Sequence, residues 1–419
     1  MGCVKFTQVI VMKNINKQLF FLFWGNFTIV LAGMGLFPIL PLYAAQFGAT
    51  RTQTGLYLTI MYIAITLGSF VPGWLAGKVP PRGLFMAAGI AGIPSLVLMG
   101  QVQTLWQLVG LTAVLWFCGG VGLALIAVFT GIAANKQQRG KSFGLLSLTA
   151  PLGALVGGAM VAWLLSWQDY ATLFWVYGMT WLALPLIGLL ALPKQQNDTK
   201  SPTKGERPQP KTVPLGQTFY LLTFISLVAA TAMNVGRFGT TVSMQILSFS
   251  AESVASTATV SGLVAIPVTF YIGALSDRLG RKQILAAGYG LSAVGVLLLI
   301  TAVHLWQFWL AATLILISRS VSDAVSSALA TDLLEPAALG QGLPLLNGLT
   351  RAGGIISFVG AGVAMDYLGV MRLYWLTAAL ALAAAFQLIL LQRRQHQRLL
   401  SSLTATILHR KPAISREPC

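Results

Sequence analysis

Charge is scarce in this 419-residue chain, where Asp, Glu, Lys and Arg make up 9% of the residues, against about 25% in an ordinary soluble domain. Acid is scarcer still: 10 Asp and Glu stand against 27 Lys and Arg, for a net charge of +17. A soluble protein of this length needs far more charge to cover its surface. Disorder is excluded as well, because 56% of the residues are hydrophobic. Cysteine is limited to Cys3, Cys118 and Cys419, widely separated and without a CxxC, which provides neither a disulfide framework nor a zinc site. The three His (His304, His396 and His409) do not cluster, and neither HExxH nor GxSxG occurs. An enzyme is therefore not expected, and no metal or cofactor is predicted. Gly140-Lys141-Ser142 matches the tail of a phosphate loop, but Asn135 stands where that loop needs glycine.

What the chain has in abundance is long apolar runs. A helix needs about 20 mostly apolar residues to cross a bilayer. Such runs lie at 19–41, 54–77, 83–101, 105–133, 142–166 and 170–192, then at 217–247, 255–275, 283–303, 305–331, 343–366 and 371–391. The expected organisation is a tail (1–18), a six-helix bundle (19–192), a polar linker (193–216), a second six-helix bundle (217–391) and a basic tail (392–419). The first run is longer than the apolar region of a signal peptide and has no A-x-A after it. Met12 is a second candidate start, and MGCVKF departs from a myristoylation signal at Phe6.

The excess of cations has two candidate explanations, a nucleic-acid groove or membrane topology. Their positions decide. With the N-terminus in the cytoplasm, 22 of the 27 Lys and Arg fall on the cytoplasmic side, in the tails, the linker and the loops after runs 2, 4 and 8. Only Arg51 and Arg372 lie opposite, and three Arg lie within runs. This is the positive-inside distribution, with both termini cytoplasmic. It predicts an integral membrane protein, most simply of a prokaryotic inner membrane, and no nucleic-acid partner.

The halves repeat. Leu105-Trp106-Gln107 recurs at Leu305-Trp306-Gln307, and Gly73-Trp74-Leu75-Ala76 aligns with Gly273-Ala274-Leu275-Ser276, both at an offset of 200. Leu148-Thr149 aligns with Leu349-Thr350, and Gly153 with Gly354, at 201. Six spans per repeat give both halves the same orientation, an established transporter architecture. The predicted fold is all-α and polytopic: twelve transmembrane helices in two parallel six-helix repeats around a central cavity.

The string GALSDRLGRK at Gly273–Lys282, in a short loop between two runs, resembles the signature loop of the major facilitator superfamily, and its drug-efflux-like branch in particular. With twelve spans and a basic linker after the sixth, the resemblance covers essentially the whole chain. It implies that the loop latches helices together on the cytoplasmic side, with Asp277 as the latch acid and Arg278 and Arg281 as loop cations. Gly273 and Gly280 suit close packing and tight turning. The alternative is a solvated basic loop that only sets topology. The N-terminal copy, GWLAGKVPPR, has Gly77 in place of the acid, and Ile132 stands opposite Asp332. An asymmetric latch held by the second half is expected. WFCGGVGLA at Trp116–Ala124 resembles the family's RxxQGxGxA pattern but has Trp116 for the Arg, which argues against the proton-antiport coupling that the resemblance links to that Arg. Gly153, Gly157 and Gly158 resemble the antiporter glycine-proline motif with the proline displaced to Pro151. They equally suit close helix packing.

Charges deep in the runs occur only in the second half: Arg237, Arg319, Asp323 and Arg351. Arg319 and Asp323 are four apart on one helix face, and Arg351 is expected at similar depth on the next span. The three are expected to form a buried triad, either structural or engaged with substrate or protons. Asn234 and Arg237 share a helix face and are the expected cavity-facing pair; snorkelling of Arg237 to the interface is the alternative. Asn26 and Trp116 are the first-half cavity candidates, although Asn26 equally suits an interhelical hydrogen bond. Trp24 and Tyr62 lie deep enough to line the cavity. Trp106, Trp167, Trp306 and Trp375 suit an interfacial belt.

These features point to a secondary transporter, expected as a monomer, that moves a small molecule by alternating access. Efflux of amphiphilic compounds, with protons as a candidate coupling ion, is the leading reading. Transport of an organic anion or zwitterion is the alternative. A non-transporting sensor or scaffold is the alternative of another class.

Overall fold

The computed structural model describes residues 2–76, 78–133, 144–190, 192, 215–335 and 338–409. These are helical almost throughout, and no strand occurs among them. Twelve helices are long and apolar enough to cross a bilayer. Spans 1 to 6 are Lys17–Leu36, Arg51–Trp74, Pro81–Met99, Leu105–Ala133, Gly144–Leu165 and Tyr170–Leu190. Spans 7 to 12 are Gln217–Ile246, Ala251–Leu279, Arg281–Thr301, Leu305–Leu333, Gln341–Tyr367 and Val370–Leu391. Each lies within a few residues of a run read from the sequence, and the protein is an all-α integral membrane protein. The linker expected over 193–216 lies outside the described residues except for Leu215 and Gly216, as do Gly77, the cations Lys136, Arg139 and Lys141, and the chain beyond His409.

Local chemistry sets the boundaries. The first run ends early, at Leu36, because Pro38 and Pro41 follow; a short helix, Leu40–Gln46, then starts with Pro41 in its first turn. Span 6 breaks between Trp181 and Ala183, since Pro185 has no N–H for the carbonyl four residues back. Span 2 starts with a capping box, in which the Thr50 hydroxyl accepts from Gln53 N–H and Gln53 Oε1 from Thr50 N–H. Asp169 caps span 6 by accepting from the Thr172 N–H at 2.8 Å, a bond that holds its carboxyl below the usual range. Gly280 turns the chain between spans 8 and 9 at a φ of 97°, a conformation that favours glycine.

The repeat seen in the sequence governs the packing. Span pairs 1·4, 1·5, 1·6, 2·4, 3·4 and 3·6 pack in the first half, and pairs 7·10, 7·11, 7·12, 8·10, 9·10 and 9·12 in the second. Adding six to each partner of the first set gives the second, and among the described residues the second half adds a 7·9 contact. Gly153 of span 5 abuts Val30 and Leu31 of span 1, and Gly353 of span 11 abuts Leu227 and Thr231 of span 7. The packing counterpart of Gly153 is therefore Gly353, one residue from the expected Gly354.

Two seams join the halves, spans 2·11 and 5·8. Both are built on glycine. A Cβ on Gly262 would sit 2.6 Å from the Pro151 carbonyl oxygen, one on Gly158 would sit 2.7 Å from Thr259 N, and one on Gly362 would sit 2.5 Å from the Arg51 carbonyl oxygen. Such approaches are the usual route to tight helix contact in lipid, where apolar side chains gain little from meeting each other. The Gly362 and Gly158 contacts lie toward one face, termed distal here, opposite the terminal face at which Lys17 and Leu391 stand, and the Gly262 contact lies near mid-span. Trp106, Trp167, Trp306 and Trp375 are exposed near distal span ends, as an interfacial belt requires.

Candidate functional site

Between the halves lies a cavity of about 540 Å³, within the range that holds small molecules. Its first-half wall is apolar and aromatic, with Met61, Tyr62, Trp116 and Trp181 among its residues. Its second-half wall carries Asn234 and Arg237 from span 7, Arg319 and Asp323 from span 10, and Arg351 from span 11. All four charges of the lining therefore stand on one side, and they sum to +2. At 1.5 Å per residue, Arg237 lies about 14 Å from the distal end of its helix, Arg319 about 21 Å and Asp323 about 27 Å. The charges step down the cavity toward the terminal face.

Arg237 is the deepest cation toward the distal face. Its guanidinium carbon lies 3.9 Å from the centre of the Phe37 ring, a cation–π contact across the halves. Its Nη1 donates to the Tyr62 hydroxyl at 3.4 Å, and that hydroxyl in turn donates to Asn234 Oδ1 at 3.5 Å. Arg319 also interacts with the Tyr62 hydroxyl. Tyr62 is thus near both guanidinium groups. A charge at this depth costs roughly 2.5–3.5 kcal/mol on insertion scales, and Phe37, Tyr62 and the cavity's water access offset it.

Level with Arg237 an aromatic layer closes the distal side. Phe358 of span 11 meets Phe37 at 5.8 Å, Tyr62 at 4.9 Å and Phe238 at 6.3 Å between ring centres. The Thr241 hydroxyl donates to the Pro38 carbonyl at 3.1 Å. At the distal rim Asp366 Oδ2 accepts from both Thr52 N–H, at 2.9 Å, and Thr52 Oγ1, at 2.6 Å. The side chains of Arg319 and Asp323 are 34% and 63% exposed, so the cavity below this layer is accessible to solvent. Among the described residues the cavity is closed distally and open toward the terminal face.

The structure brings some of the expected positions together and separates others. Asn234, Arg237, Arg319 and Trp116 line the cavity, with Asn234 and Arg237 meeting at Tyr62. Arg237 does not snorkel to the interface. Asn26 does not line the cavity: its Nδ2 donates to Thr149 Oγ1 at 2.5 Å and ties span 1 to span 5. Trp24 faces outward and packs with Phe20, Phe23 and Phe27. The expected triad is a pair. Arg319 Nε lies 3.7 Å from Asp323 Oδ2, and no ion pair to Arg351 forms among the described residues. Asp323 and Arg351 do sit equally far from their terminal-face helix ends. However, spans 10 and 11 scarcely touch, because span 7 packs against both. Neighbours in the chain are here separated in space. Nor is the pair buried, as Asp323 is mostly exposed.

The signature loop builds a latch within the second half. Arg281 bonds Asp277 at 3.1 Å, Asp332 at 2.8 Å and the Ala328 carbonyl at 2.6 Å, and so joins spans 8, 9 and 10. Arg281, more than Asp277, is the hub. Arg278 is exposed and makes no ion pair among the described residues. Gly280 makes the turn, whereas Gly273 faces open space and is not a packing glycine. In the first half Arg82 donates to the Leu189 carbonyl at 2.8 Å, a weaker counterpart without acids. Tyr62 lines the cavity, as its depth in span 2 suggested, whereas Phe37, Trp181 and the neighbouring Phe358 are positions that the sequence leaves among 42 aromatics.

A sequence model of the Major Facilitator Superfamily matches residues 22–244 and, separately, 219–416. The chain belongs to the Major Facilitator Superfamily. Its relatives include the multidrug resistance protein MdtG of Proteus mirabilis, 24% identical over 387 residues that cover 88% of this chain and 94% of the relative. The MdtG of Serratia proteamaculans is 25% identical over 340 residues, 77% of this chain and 80% of the relative. Among solved structures, a mutant of the nucleoside transporter NupG superposes with a TM-score of 0.72 at 14% identity, over 90% of this chain and 99% of that one. That likeness supports the fold. Membership places the protein in a transporter family acting on small molecules within a membrane, in agreement with a polarised cavity between two repeated halves.

Proposed function

We propose that this superfamily member exports small amphiphilic molecules by alternating access, loading them from the cytoplasm. The observation that carries the reading is the cavity between the halves, polar on one wall and aromatic on the other, closed at one face by seams able to part. The names of the MdtG relatives support efflux of drug-like compounds. The distribution of cations supports cytoplasmic termini in a bacterial inner membrane, so that the open terminal face is the loading side. We place the domain division at 1–18, 19–192, 193–216, 217–391 and 392–419, with the two bundles as the bodies that rock. A monomer is sufficient, since one chain encloses the whole cavity. Proton coupling, with Asp323 as carrier, is part of the proposal.

The test is flux in proteoliposomes for a panel of amphiphiles, paired with susceptibility of an efflux-deficient bacterium expressing the protein. The expected result is saturable flux and reduced drug accumulation. Ligand binding without flux would favour the sensor reading, and neither binding nor flux across the panel would overturn the proposal.

A further inference from the structure

The charges of the cavity are arranged as a binding site for one kind of head group. Arg237 presents a planar fork of five donors, yet its contacts here are one long hydrogen bond to Tyr62 and the face of Phe37. Neither is an anion. Arg319 has Asp323 at 3.7 Å, beyond ordinary hydrogen-bond distance. The Tyr62 hydroxyl accepts from Arg237 and is also near Arg319, which lines the same cavity, so a group bridging both Arg would displace or share that hydroxyl. Arg351 adds a third cation to the same wall. Facing them, the first-half wall offers Trp116, Trp181 and Met61 with no charge.

We propose that the cavity selects amphiphilic anions. A carboxylate or another oxyanion bridges Arg237 and Arg319, and the apolar body lies against Trp116 and Trp181. This deepens the efflux reading and rests on it. Three arguments favour an anion over a cation. The lining carries +2, so a cation entering it meets net repulsion. The lone acid, Asp323, already has Arg319 as its nearest counter-charge. And an oxyanion accepts several charge-assisted bonds from guanidinium forks, the geometry in which Arg is most discriminating. The head group also outcompetes Asp323 for Arg319, which leaves that carboxylate free in the wet part of the cavity.

The test uses the intact purified protein and three compounds on one naphthyl-alkyl skeleton, ending in a carboxylate, a primary amide or a primary ammonium. Calorimetry at pH 7 should show the carboxylate bound at least tenfold more tightly than either other member. Arg237→Gln and Arg319→Gln should each lose tenfold or more for the carboxylate and leave the amide within twofold. Equal or tighter binding of the ammonium or the amide overturns the anion assignment and leaves the efflux reading standing. Failure of the native protein to bind any of the three overturns both. The comparison among ligands needs no variant, so a misfolded mutant cannot rescue the proposal.

Discussion

Asp366 is the residue whose removal should most directly shift the balance between closed and open distal faces. It stands in the last turn of span 11 and reaches across the seam to the start of span 2. There Thr50 already satisfies the Gln53 N–H, and Asp366 takes the Thr52 N–H and hydroxyl. An anion at a helix N-terminus contributes about 0.3–1 kcal/mol at an exposed site. Charged hydrogen bonds contribute about 1.5–3 kcal/mol in general, a figure to be discounted here because Asp366 is exposed. Roughly 1–2 kcal/mol of closed-state preference follows, a factor of about 5–30 in the ratio of states. Asp366→Ala should lose all of it, and Asp366→Asn, which keeps an acceptor without the charge, about half. Spin labels at Gln103 and Val303, in equivalent distal loops of the two halves, report the separation by electron–electron resonance in a background lacking the three native cysteines. The expected result is a new, longer distance component that grows in the order native, Asn, Ala. Identical distributions in all three would mean that Asp366 does not hold the distal face closed.

Three further outcomes follow from the same geometry. Gly262→Leu places a side chain against Pro151 and Leu155 at the 5·8 seam and should populate the distally open state by the same labels; an unchanged distribution would mean that the seam tolerates separation. Arg281→Ala leaves Asp277 and Asp332 without their shared cation and should cost about 1 kcal/mol, read as a fall of a few degrees in the melting temperature, with no change expected for Arg278→Ala. Asp323→Asn should abolish accumulation driven by a pH gradient, and retained pH-driven accumulation excludes Asp323 as the proton carrier.

The spans were legible because a bilayer demands about 20 apolar residues per crossing and short polar breaks mark each turn. The four deep charges were legible because so little else in the chain is charged. The pairing of Asp323 with Arg351 failed for a topological reason: hydropathy orders spans along the chain but does not say that span 7 packs between spans 10 and 11. Asn26 was ambiguous because an amide can face a cavity or a neighbouring helix, and the hydroxyl of Thr149 that decides the matter lies 123 residues away. The aromatic layer joins Tyr62 of span 2 and Phe358 of span 11 to Phe37, just beyond the end of span 1; depth in its run marked Tyr62, but no local pattern distinguishes Phe37 or Phe358 from the other rings. Glycine was visible everywhere, but only the packing separates Gly262, pressed on a backbone, from Gly273, which faces open space.

If the cavity between the halves is the transport site, proteoliposomes should take up a radiolabelled amphiphilic carboxylate. Uptake should be saturable, well above that of protein-free liposomes, and reduced tenfold or more in Arg237→Gln protein of normal thermal stability. Uptake equal to that of empty liposomes, or unaffected by loss of Arg237, would contradict that role for the cavity.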